Sequence, residues 1–262
     1  MCIRDSKNAN LLCLCSPSNP TGTLVSPDEL KRITQAICEE NALRIKAGKR
    51  QLFMMHDQVY ASLVYGNAKH AHPVALVPES APWVISLDAI SKSMAATGVR
   101  VGWVTAAPAV VARMRDFLGH VGAWAPRAEQ VAVAEFLGDS AAMGKFRTEM
   151  DAKVKALLDE LYKGFSAMKK TGLPVECVEP QGAIYLSLQL KLVGKSFKGK
   201  KIATNADIGA LLLEEAGMAV VPFQAFGLKD ETGWFRLSVG AVSPADIEQC
   251  LPRVKALLEA VK

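Results

Sequence analysis

Lys92 lies in the stretch SLDAISKSMAATGVRVGW, residues 86–103, among small and hydroxyl side chains, and Arg100 follows it eight positions later. A lysine in such company is either a solvated loop charge or a functional amine. Composition alone favours the loop, because lysine is mostly exposed. Three further positions bear on the choice. Asn19 stands in SPSNPTG, residues 16–22; Asp57 ends LFMMHD, residues 52–57; and Tyr60 follows it in DQVY. Each has an ordinary explanation alone: a turn residue for Asn19, a helix cap for Asp57, core for Tyr60. As a set they offer an amine, an anion, a cation and two neutral hydrogen-bonding groups.

The elements around them give the set a common place. LLCLC, residues 11–15, reads as a buried strand of a covered parallel sheet. SPSNPTG is a loop dense in Pro, Asn and Gly. Ser26-Pro27-Asp28-Glu29 is a helix start with a cap, a proline at the first position and a capping-box acid, and the helix should run to about Asn41. LFMMHD is a second buried strand. Strand, helix, strand is a βαβ unit, with a right-handed crossover expected. WVISL, residues 83–87, is a third strand with Lys92 just past its carboxyl end, and VRVGWVTAA, residues 99–107, a fourth. Ligands of such sheets gather at the carboxyl ends of strands. Asn19, Asp57 with Tyr60, Lys92 and Arg100 are therefore expected in one crevice.

Pro108 opens a helix to about Val121, and residues 127–137 form another. Apolar residues then recur at Phe146, Met150, Val154, Leu157, Leu161, Phe165 and Met168, a long amphipathic helix over 145–170 stopped by Gly172 and Pro174. Beyond it the pattern changes. Short strands at 175–178, 184–188, 219–221 and 234–239 surround a helix over 205–216, and Ser243-Pro244 caps a last helix. The expected fold is α/β: a mostly parallel large-domain sheet over residues 1–144 and a smaller C-terminal α+β domain over 145–262 that includes the long bridging helix. Residues 1–10 supply no neighbour for the strand at Leu11, so the large domain is expected to be incomplete, with an N-terminal portion missing.

Composition narrows the function classes. Half of the 262 residues are apolar, which implies a real core, and the net charge of +5 is scattered. The densest basic cluster, KLVGKSFKGKK at 191–201, reads as a solvated loop, so neither nucleic acid nor a membrane is expected as a partner. No apolar run is long enough to span a membrane, and no signal-peptide pattern is present. The six cysteines contain no CxxC pair, and the histidines show only His70-Ala-His72, placed in a surface loop. No metal site is expected, and a reducing, cytoplasmic setting fits best.

In order, spacing and flanking strands, the motifs resemble those of the class I/II aminotransferases, pyridoxal-phosphate enzymes of fold type I similar to aspartate aminotransferase. The resemblance runs from LLCLCSPSNPTG through MMHDQVY, the lysine stretch, PQGAIY (180–185) and VVPFQAFG (220–227) to FRLSVG (235–240). It implies that Lys92 holds pyridoxal 5'-phosphate as a Schiff base and then shuttles a proton, a task that needs a lysine of lowered pKa. It implies that Asp57 pairs with the pyridine nitrogen, that Asn19 and Tyr60 hydrogen-bond the phenolic oxygen, and that Arg100 binds the phosphate. Arg236, otherwise a strand-edge charge, would grip the substrate α-carboxylate.

The implied reaction moves an amino group between an amino acid and a 2-oxo acid, in a full-length parent that is a homodimer. Where relatives carry a phosphate-binding hydroxyl three residues before the lysine, this chain has Ala89; Ser91 and Ser86 are the nearby hydroxyls, and Ser91 is taken as a cofactor contact. Gln58 replaces the usual acid after Asp57. Arg127 is either a distal-carboxylate contact or a solvated helix-turn charge, and Phe223 and Phe226 are read as core rather than pocket. The chain is expected to hold only part of the site and to bind cofactor poorly by itself. Two other functions fit the same scaffold: a lyase or decarboxylase using the same cofactor, and the effector-binding domain of a transcription regulator. An inert truncation product is the third alternative.

Overall fold

In the computed structural model, which describes residues 8–262, three short apolar runs become parallel strands: β1 (Leu11–Cys15), β2 (Phe53–Asp57) and β3 (Val84–Ala89). Cys15 aligns with Asp57, and Asp57 with Leu87, so the three strands end together. β4 (Gly102–Thr105) pairs antiparallel with β3, giving the order β1-β2-β3-β4. It is shorter than the expected fourth strand because residues Thr97–Val99 form a 3₁₀ turn and Arg100 adopts a left-handed backbone.

Helix α1 (Pro27–Lys46) starts on a complete capping box between Ser26 and Glu29. It continues past Asn41 because that side chain is not a helix stop. Its amide clamps the backbone of Leu52, accepting from the N–H at 2.7 Å and donating to the C=O at 2.8 Å. Ile37 packs with Leu52 and Met54 beneath the sheet. β1 departs from the buried strand expected of LLCLC: Leu11 is 47% exposed and Cys13 is also exposed. β1 lies at the sheet's edge with one neighbour, so the Leu11 and Cys13 face lacks cover among the described residues.

The first unit comprises the described residues up to Pro17 and Leu24–Glu149; the second comprises Ser18–Thr23 and Met150–Lys262. Within the first lie α2 (Pro73–Leu76), α3 (Ile90–Ser93), α4 (Pro108–Val121) and α5 (Arg127–Gly138). Neither α4 nor α5 buries a residue, and Phe117 is 65% exposed. The boundary between units falls inside α6 (Ser140–Lys170), which buries Leu158, Leu161, Phe165 and Met168.

The second unit is built on an antiparallel sheet of β5 (Val175–Cys177), β6 (Tyr185–Leu190), β9 (Val221–Pro222) and β10 (Trp234–Ser238), ordered β5-β6-β10-β9. Between β6 and β9 come the small hairpin β7 (Ser196–Phe197) and β8 (Lys200–Lys201), and α7 (Asn205–Leu211), which passes into a π turn over Leu212–Ala216. α8 (Pro244–Ala260) closes the unit. Phe165, Phe235, Leu188, Leu190, Ile208 and Leu212 are fully buried at its core. The basic hairpin segment is largely solvated, and Lys198 pairs with Glu215 at 2.8 Å. Among the described residues no helix is long and apolar enough to cross a membrane, and no group of three or more acidic, cysteine or histidine side chains could hold a metal ion.

The contrast between the two phenylalanine environments is measurable. Phe165→Ala should cost about 3–5 kcal/mol in a denaturant titration. Phe117→Ala should stay within about 0.5 kcal/mol of the parent.

Candidate active site

In the first unit the shared end of β1, β2 and β3 places Asp57 beside the start of two loops. Its Oδ1 accepts from the Val59 N–H at 3.1 Å, and its carbonyl accepts from the Ser16 N–H at 3.1 Å. The Gln58 N–H donates to Leu87 O at 3.0 Å, fastening the following turn across β3. Tyr60, in that turn, is 3% exposed. Lys92 lies in α3, directly after β3, half-buried, with no ion pair to its amine among the described residues.

The loop that follows closes on itself. The Thr97 hydroxyl donates to Ser91 O at 3.0 Å, Arg100 Nη1 to Thr97 O at 2.9 Å, and the Ile90 N–H to Val101 O at 3.4 Å. Arg100 is exposed and sits at φ +61°, a left-handed conformation that costs a non-glycine residue about 1 kcal/mol. Such positions persist where the surroundings fix them, and they cluster at functional sites. Ala89 faces Gly102 so closely that a Cβ on Gly102 would lie 3.1 Å from the Ala89 Cβ and 2.9 Å from Asp88 O. That leaves no space for a side chain at 102.

The nearby hydroxyls are therefore unequal. Ser86 is 4% exposed and accepts from His72 Nε2 at 2.7 Å, which engages it away from Lys92. Ser93 donates to Ala89 O at 3.0 Å. Ser91 stays beside Lys92 in α3. Asp88 was not singled out by sequence; its carboxyl is pushed up by burial, opposed by the Ala89 N–H and reinforced by the Asp57 charge.

Asn19 belongs with the second unit, whereas the sequence placed it with the other strand-end residues. Its loop, Ser18–Thr23, is seated on the PQGAIY segment. The Gln181 and Gly182 N–H groups both donate to Gly22 O, at 2.8 and 3.0 Å, and the Ser187 hydroxyl donates to Thr21 O at 2.9 Å. Gly22 has φ +71°, and a Cβ there would lie 2.2 Å from Tyr185 O, so only glycine fits. This seat puts Asn19 Oδ1 at 2.9 Å from Arg236 Nη1.

The Arg236 guanidinium lies over two rings, 4.7 Å from the centroid of Tyr185 and 5.0 Å from that of Phe226. Its Nε is buried and has no partner among the described residues, an orphan donor of the kind a carboxylate satisfies. Phe226 is 40% exposed and contacts this arginine, so it is not the core residue the sequence reading made it. Phe223 stacks on Trp234. Arg127 is exposed in the first turn of α5.

Sequence reasoning also missed a histidine cluster. His70 and His72, expected in a surface loop, pack around His56, which is 0% exposed. The only prior signal was the parity of β2, which sends His56 to the face opposite Asp57.

Solved structures share the fold. The aspartate aminotransferase of Rhizobium meliloti superposes with a TM-score of 0.83 at 25% identity, over 97% of this chain and 59% of that one. The aromatic aminotransferase of Pyrococcus horikoshii does so with a TM-score of 0.82 at 27% identity, over 99% of this chain and 63% of that one. In sequence, the aspartate aminotransferase of Streptomyces avermitilis is 32% identical over 260 residues, 98% of this chain. This chain belongs to the aminotransferase class I and II family, whose profile matches residues 3–254. It spans 58% of the length of the Streptomyces protein.

The seat of the NPTG loop can be tested. Gly22→Ala adds left-handed strain and a backbone clash, and should lower unfolding free energy by about 2–4 kcal/mol. An unchanged denaturation midpoint would show that the loop does not depend on this close approach.

Proposed function

We propose that this chain carries the lysine and the carboxylate anchor of a pyridoxal-phosphate-dependent aminotransferase, which moves an amino group between an amino acid and a 2-oxo acid. The observation that carries the reading is the Lys92 amine, without an ion pair among the described residues, directly beyond a strand whose end is in register with Asp57. The donor set suits the cofactor: an amine for its carbonyl carbon, a carboxylate for a protonated ring nitrogen, and a guanidinium for its phosphate. When bound, the cofactor supplies an electron sink for the substrate's α-carbon.

The chain's own residues have the following roles in this reading. Lys92 would hold the cofactor through its amine and would move the proton at the substrate α-carbon. Asp57 keeps the ring nitrogen protonated through its carboxylate. Tyr60 and Asn19 hydrogen-bond the phenolic oxygen, and Arg100 holds the phosphate, with Ser91, the hydroxyl directly before Lys92, as a further contact. Arg236, flanked by Tyr185 and Phe226, binds the α-carboxylate and gives its orphan Nε a partner. The first unit is then the cofactor-binding domain and the second the smaller, substrate-gripping one.

Relatives named aspartate aminotransferase support aspartate as the amino donor. A homodimer and a cytoplasmic setting complete the proposal; the free thiols of Cys13, Cys15, Cys38, Cys177 and Cys250 suit a reducing compartment.

The test is product analysis on protein supplied with pyridoxal phosphate. Aspartate with 2-oxoglutarate should give glutamate and the matching 2-oxo acid in equal amounts. Lys92→Ala should lower turnover by roughly 10²–10⁴-fold, and Arg236→Lys should raise KM for the amino acid by roughly tenfold or more through loss of the planar fork. Release of carbon dioxide or free ammonia in place of amino transfer would assign the chain to a lyase or decarboxylase.

A further inference from the structure

We infer that His56, His70 and His72 form an acid-released latch that fastens residues 58–77 onto the sheet behind Asp57. The His56 ring lies 5.9 Å from that of His70, nearly parallel at 11°, and 5.9 Å from that of His72, edge-on at 86°. His70 donates from Nε2 to Gln58 Oε1 at 3.2 Å. His72 is engaged at both nitrogens: Nδ1 accepts from the Val74 N–H at 3.2 Å, and Nε2 donates to Ser86 Oγ at 2.7 Å. The segment is thus tied to itself at Gln58 and Val74 and to β3 at Ser86, with His56 of β2 between the two rings.

This geometry requires uncharged rings. Because His72 Nδ1 accepts a backbone hydrogen bond, it carries no proton; adding one removes that bond and the cap on α2. Both nitrogens of His56 are buried without a partner among the described residues, so an imidazolium there has nothing to accept its protons.

Among the described residues neither His56 nitrogen has a hydrogen-bond partner to offset such a charge. Opposite His56 stand Leu14 on β1 and Ser86 on β3, and Thr105 of β4 lies beyond Ser86. From α1, Ile33 and Ile37 cover the sheet two residues earlier, at Met54. The carboxylates along these strands are Asp57, on the opposite face of β2, and Asp88, two residues beyond Ser86. Burial first, then the other two rings, lowers His56 from the usual 6.5 to about 4. Burial also lowers His70, helped by His72, and lowers His72.

All three shifts are downward, so the unfolded segment binds more protons than the folded one between the folded values and 6.5. The stabilisation is complete above 6.5 and is lost as pH falls toward the folded values. The released segment contains Tyr60, and its loss would loosen the turn after Asp57. That consequence for catalysis rests on the function proposed above; the latch itself does not.

The experiment is amide hydrogen exchange from pH 7.5 to 5.0, corrected for intrinsic rates. β10 serves as the internal reference, because the second unit contains no histidine. Protection of residues 58–77 relative to β10 should fall by about tenfold or more, and the fall should be clearly smaller in His56→Leu. An equal fall in His56→Leu, or none in the parent, would overturn the latch. Should that variant not fold, the imidazole resonances of the unaltered protein decide: a His56 signal unchanged down to pH 5 supports the latch, and one titrating near 6.5 refutes it. Neither readout needs cofactor or turnover, so a failed transamination assay with the exchange pattern intact would count against the function alone.

Discussion

The Asn19 and Arg236 pair of the second unit depends on one close approach of two backbones. Gly22 passes so near the Tyr185 carbonyl that no side chain fits, and its own carbonyl takes two N–H groups from the PQGAIY turn. These contacts fix six residues of loop whose sequence neighbours on both sides belong to the first unit. Without them Asn19 has no reason to meet Arg236, since the two lie far apart in sequence and on different elements. Because the bonds that hold the loop come from backbone groups, they fix its path whatever side chains surround it. The same strand that receives the loop also contributes Tyr185, whose ring lies under the Arg236 guanidinium. One contact thus orients an amide oxygen and a cation together.

In the first unit the equivalent constraint is register. Parallel pairing brings Cys15, Asp57 and Leu87 to one level, so that the acid and the approach to Lys92 emerge from the same end of the sheet. Strand alternation then separates two chemistries on adjacent residues. Asp57 faces one side, and His56, enclosed by two further imidazoles, faces the other.

Much of this was legible in the sequence. The capping box at Ser26 and Glu29, the apolar runs ending at Asp57 and Leu87, and the long amphipathic helix all follow from local patterns, and local patterns determine element type. Lys92, Asp57 and Arg236 were singled out through the family resemblance of their motifs, which needs no knowledge of packing. What was not legible depends on which elements meet. Asn41 looks like a helix stop until Leu52 is seen beside it. His70 and His72 look like loop residues until β2 delivers His56 between them. Phe226 looks like core until Arg236 lies over its ring. Each of these is a long-range contact, and a single sequence carries no direct record of partners.

The central claim is that the Lys92 amine is the point of attachment for pyridoxal phosphate. Reduction of the cofactor-treated protein with borohydride, followed by peptide mapping, tests it most directly. The account predicts a phosphopyridoxyl group on the peptide containing Lys92 and its absence from that peptide after Lys92→Ala. Stoichiometric label on another lysine, with Lys92 unmodified, would contradict it.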